Sequence, residues 1–86
     1  MEEFPLLKAE QVALLRADIN TGIVLDKNYV YATMPDQEVF VIFDNIEYAI
    51  KFAKEIISEK KDIECGIYKD NSVALLILDR DNINLY

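Results

Sequence analysis

Val39-Phe40-Val41-Ile42-Phe43 is β-branched or aromatic at every position, and it runs straight into a segment with helical spacing. Such a run reads as a strand buried on both faces. Asp44 then stands where a helix N-cap belongs. Glu47, three residues on, completes a capping box, and Phe43 and Tyr48 occupy the hydrophobic-staple positions. Beyond them Ile46, Ala49, Ile50, Ala53, Ile56 and Ile57 fall on one stripe. Glu47 and Lys51 pair on the opposite side, and Lys60 and Lys61 sit where the helix dipole favours cations. This junction commits residues 38–61 to a strand followed by an amphipathic helix, whose stripe must be buried on a sheet.

The flanking segments supply candidate strands. In residues 63–68, Ile63, Cys65 and Ile67 face one way. Lys69-Asp70-Asn71-Ser72 has turn chemistry with Asn71 as the left-handed residue, and residues 73–78 return as a strand apolar on both faces. An earlier hairpin pairs residues 22–25 with 29–33 around Asp26-Lys27-Asn28, and Met34-Pro35-Asp36-Gln37 turns the chain into the strand at Glu38. Residues 7–17 read as a helix burying Val12, Leu15 and Ile19, and residues 83–86 alternate weakly as an edge strand. The expectation is one α+β domain over residues 1–86. It is two-layered, with a mostly antiparallel sheet of four to five strands and two helices in the order α-β-β-β-α-β-β, and the strands at Glu38 and Val73 are central. Sliding the chain by half its length sets Asn28 on Asn71, Val30 on Val73 and Asp36 on Asp79. An internal duplication would produce that register, although so few identities also arise by chance.

Composition narrows the chemistry. The 86 residues contain no histidine, one cysteine and two glycines, so the imidazole, thiol pairs and glycine-rich phosphate loops of most active sites are missing. Cys65 has neither a disulfide partner nor a histidine to activate it, and it reads as a small strand hydrophobe. The clusters Asp70-Asn71-Ser72 and Asp79-Arg80-Asp81-Asn82 lack the central glycine and closing glutamate of a calcium loop and read as turns. With sixteen carboxylates some pair will lie close, so proximity alone does not argue for acid–base catalysis. No cofactor or metal is expected, and the chain reads as a non-enzyme.

Sixteen Asp and Glu against nine Lys and Arg give a net charge of −7. That charge disfavours nucleic acid and anionic membranes and favours a basic protein as partner. The longest apolar run, residues 73–78, is far too short to span a bilayer. Pro5 and Lys8 interrupt the only stretch resembling a secretory segment, and the lone cysteine fits a reducing, cytoplasmic setting.

The functional expectation is a non-catalytic acidic protein-binding module. Its sharpest form is a small immunity-type inhibitor that neutralises a basic partner such as a toxin nuclease. Carboxylates near strand ends (Asp26, Asp36, Glu38, Asp70, Asp79 and Asp81) would meet the partner's cations. Tyr29, Tyr31 and Tyr68, with Phe40 and Ile42, would form an aromatic patch on the sheet face away from the helix at 45–61. Whether the helix at 7–17 covers that face is open. The alternative is a small-ligand binder or minor enzyme with a tyrosine-lined pocket in a homodimer, and self-assembly through the apolar face alone is a third possibility.

Overall fold

The computed structural model describes residues 2–86. Its centre is β1 (Val12–Asp18), which is bonded along both edges. On one side β4 (Ile63–Tyr68) runs antiparallel to it, pairing Ala13 with Tyr68 through to Asp18 with Ile63. Two short strands lie end to end on the other side. β3 (Phe40–Phe43) pairs with Val12 to Leu15, and β2 (Val24–Leu25) pairs with Arg16 and Ala17. β5 (Ala74–Leu78) completes the antiparallel sheet outside β4, with a bulge opposite Ile67 and Tyr68. α1 (Ile46–Glu59) packs across one face.

The described residues therefore hold five strands and one α-helix, and four expectations are corrected. Residues 7–17 do not form a helix: residues 8–11 make a turn and residues 12–17 belong to β1. Ala, Leu and Arg favour helix locally, but no Ser, Thr, Asp or Asn stands ahead of Leu7 to cap one. The segment instead gains hydrogen bonds on two edges and burial on both faces, with Val12, Ala13 and Leu14 all buried. The strands at Glu38 and Val73 are not central, since β3 pairs only with β1 and β5 only with β4. Residues 83–86 give no strand; Ile83–Leu85 is a short 3₁₀ turn. With a strand opening the first half and a helix opening the second, the halves do not share an element order, and the duplication reading falls.

The stripe of α1 packs as its spacing requires. Ala49, Ala53, Ile56 and Ile57 are buried, with Ile46 and Ile50 partly so, against Val12, Leu14, Cys65, Ile67 and Leu78. The N-cap is Asn45 rather than Asp44: its side chain accepts from the Tyr48 amide at 3.0 Å. The shift of one residue places Glu47 in the first turn beside the dipole but dissolves the capping box and the staple. Phe43 packs on Phe52 instead, ring centroids 5.2 Å apart.

Both glycines serve geometry. Gly22 takes φ 74° and closes the β1–β2 turn, donating to the Asp18 carbonyl at 2.7 Å. At Gly66 a Cβ would stand 2.8 Å from Cε1 of Tyr68, so the missing side chain is what lets that ring lie along the sheet. Asn71 is not left-handed; besides Gly22 the described residue with positive φ is Tyr29, and the β4–β5 turn is set by the Asp70 carboxylate accepting from the Ser72 amide at 2.9 Å.

Candidate functional site

Two regions concentrate accessible chemistry, one on each side of the sheet. The first is built by the loop after β2. Asp26 is buried, and its Oδ1 accepts from the amides of Asn28 and Val30 at 2.8 and 3.1 Å while Oδ2 accepts from Nε2 of Gln37 at 2.8 Å. These bonds hold its carboxyl below the ordinary range, Gln37 most strongly, then Val30 and Asn28, with a smaller pull from the charge of Arg16. Winding the loop around Asp26 brings Tyr29 to φ 63°, a conformation costly for a bulky residue. Leu25 and Tyr31 form an isolated bridge, which is all that remains of the expected 29–33 strand.

The strained turn lays the Tyr29 ring over Arg16, whose guanidinium carbon is 5.2 Å from the ring centroid; Nζ of Lys60 is 5.1 Å from the same centroid. Arg16 is only 3% exposed, because β1 alternation points it to the same face as Val12 and Leu14. Among the described residues its Nε and Nη2 have no hydrogen-bond partner. Tyr29 also walls an open concavity of about 560 Å³, together with Leu25, Val30, Tyr31 and Ile63; Arg16 itself does not line it, and the Tyr29 ring is what the two share. Lys60, Asp18 and Asp62 stand on its rim. The Tyr31 hydroxyl donates to Asp18 Oδ2 at 2.6 Å, and this bond first, then the Asn20 amide, keeps the Asp18 carboxyl low.

The second region is the sheet face opposite α1. Register places Ala13, Leu15, Ala17, Phe40, Ile42, Gly66, Tyr68 and Ile77 there, with Glu64 as the charged strand residue among them. No helix covers this face among the described residues. An extended strap from Glu2 to Gln11 crosses part of it instead. Glu2 Oε1 accepts from the amides of Val39 and Phe40 at 2.9 and 3.0 Å, and Phe4 sets its ring edge-on to Phe40 and Tyr68, centroids 5.2 and 6.4 Å away. Lys69 clamps the far end, donating to the carbonyls of Lys8, Ala9 and Gln11. Beyond the strap Ile42 remains 45% exposed, and Leu75 and Ile77, which alternate with the core residues Leu76 and Leu78, remain 51% and 53% exposed.

The residues expected to share one binding surface are thus divided. Tyr29 and Tyr31 line the concavity on the helix side, while Tyr68 lies across the sheet beneath Phe4. Asp26 is an interior carboxylate that organises its loop. Asp36 and Glu38 are exposed beside it, Glu38 paired with Lys27 at 2.7 Å. Asp70 stands in the β4–β5 turn. Asp79 caps the turn after β5, accepting from the amides of Asp81 and Asn82 at 2.9 and 3.1 Å, and Asp81 is exposed. Cys65 packs in the core, where burial pushes its thiol up to about 12 against the opposing pull of Arg16. Arg16 and Asp18 were not singled out from the sequence, and Lys60 was noted only as a cation at the helix end. Period-two alternation through Val12, Leu14 and Arg16 was the signal: it sets a charge in line with core residues. No family model, curated protein or solved structure matches this chain. No described helix is long and apolar enough to cross a membrane.

Proposed function

We propose that the chain is a non-catalytic module that binds a basic protein through the sheet face opposite α1. The observation carrying this reading is the patch of Ile42, Leu75 and Ile77, each about half exposed, on a face where the charged strand residue is Glu64. An apolar centre supplies affinity at a specific interface, while the net charge of −7 raises the encounter rate with a cationic partner. Two copies at −7 each repel, so charge favours a cationic partner over a second copy of this chain. The thiol is buried and stays protonated at neutral pH, and the sequence offers no imidazole, which favours contact over turnover. The sharpest form remains an inhibitor that masks a cationic active site, such as that of a toxin nuclease.

Capture from the native host tests the reading. Wild-type protein and an Ile42→Ser/Ile77→Ser variant, immobilised in parallel at low salt, should differ in one retained basic protein. Wild type holds that protein, release rises with salt, and the variant lets it go. Identical recovery on both surfaces contradicts the proposal.

A second reading rests on the other side of the sheet. The concavity beside Tyr29 and Tyr31 falls within the volume range of small-ligand sites, and it supports a tyrosine-lined ligand pocket formed within one chain rather than between two.

A further inference from the structure

We infer that the Tyr29–Tyr31 concavity binds a small monocarboxylate carried on an apolar body, with Arg16 as the carboxylate-binding group and the Tyr29 ring as a lid over it. This inference rests on the ligand-pocket reading and is independent of the protein-binding one.

Four observations converge. The guanidinium of Arg16 is withdrawn from water, and two of its donor atoms lack partners among the described residues. Buried donors of that kind are normally satisfied, and an unmet buried charge costs several kcal/mol. The nearest carboxylate does not meet them: both oxygens of Asp26 are committed to the loop and to Gln37. A second cation, Lys60, reaches the same tyrosine ring from the end of α1. The covering residue itself is held at φ 63°, where the backbone favours Gly or Asn over tyrosine, so the large ring is retained at a conformational cost.

The surroundings select the ligand class. A planar guanidinium matches a carboxylate in a bidentate fork. Leu25, Val30 and Ile63 offer an apolar wall for the rest of the molecule. The Asp18 and Asp62 carboxylates on the rim oppose a doubly charged phosphate. A ligand with one negative charge and an uncharged, flat or branched body satisfies all three. Rotation of the Tyr29 side chain would admit it, exchanging a cation–π contact for charge-assisted hydrogen bonds.

Thermal unfolding and calorimetric titration of the intact chain, with benzoate, benzamide and inorganic phosphate as probes, test the inference. Benzoate should raise the Tm in proportion to its logarithmic concentration above Kd, while benzamide and phosphate should leave it unchanged. Arg16→Met should weaken benzoate at least about tenfold, the loss expected for a charge-assisted pair. Lys60→Gln, at an exposed position where folding is spared, should weaken it by a smaller factor. Benzamide binding as tightly as benzoate, or benzoate binding Arg16→Met and Lys60→Gln as tightly as wild type, overturns the carboxylate assignment and leaves the pocket standing. Binding of phosphate in preference to benzoate likewise overturns it. Binding of none of the three overturns the pocket reading as well.

Discussion

A guanidinium taken out of water without a hydrogen-bonded counter-ion is destabilising, and Arg16 is in that position. The Tyr29 ring returns about 2 kcal/mol of cation–π attraction, and Asp26 acts on it only through space. These offsets are smaller than the cost, so Arg16→Met should raise the unfolding free energy by about 1–3 kcal/mol, read by urea denaturation. A fall in stability would show that the guanidinium supports the fold and is not held in reserve for a ligand. Ile57 makes the contrast. It is fully buried on the inner stripe of α1, and Ile57→Ala should cost about 2–5 kcal/mol in the same experiment.

At the scale of elements, β1 organises everything else, and it was the element least legible from local pattern. Its Ala-Leu-Leu-Arg-Ala composition favours helix, and the strand prevails only because β4, β3 and β2 all bond to it. The β3 and β4 partners lie 25 to 55 residues away and leave no trace in a short window. α1 and the β4–β5 hairpin were readable because their signals are local: a six-residue apolar stripe and turn chemistry at Asp70 and Ser72. The shift of the cap from Asp44 to Asn45 is a one-residue choice between two good capping side chains. The site was half legible, since Tyr29 and Tyr31 were flagged by type, while Arg16 was hidden by the mistaken period of its segment. The strap adds a prediction at this scale. Lys69→Met removes the ammonium that gathers the carbonyls of Lys8, Ala9 and Gln11, so trypsin should cut after Lys8 several-fold faster than in wild type, with global stability lowered by no more than about 1–3 kcal/mol. Equal cleavage rates would show that the strap is held by Glu2 and Phe4 alone.

For the whole molecule, the perturbed groups bracket a pH range. The carboxyls of Asp18, Asp26 and Asp70 lie below their ordinary 3.8 in the folded chain, each through hydrogen bonds to the ionised form. Their contribution is present above that value and is lost as pH falls through the lower folded values. Lys27 lies above 10.5 through its bond to Glu38, and Cys65 is pushed from 9.0 up to about 12 by burial. Those contributions are complete below the unfolded values and disappear as pH rises through the folded ones. Tm should therefore hold a plateau from about pH 5 to 8 and decline on both sides. Replacing Asp26 by Asn should blunt the acid limb; an unchanged limb would mean that Asp26 is not among the groups controlling it.

On the proposed reading, the −7 charge sets how the molecule meets a partner, and the patch opposite α1 decides what it holds. Calorimetric titration of the captured basic protein into wild type, Ile42→Ser/Ile77→Ser and Arg16→Met decides between a working sheet face and an incidental one. The account predicts at least a tenfold loss of affinity for the double variant, equivalent to about 1.4 kcal/mol or more, with Arg16→Met indistinguishable from wild type. Equal affinity for wild type and the correctly folded double variant would contradict it.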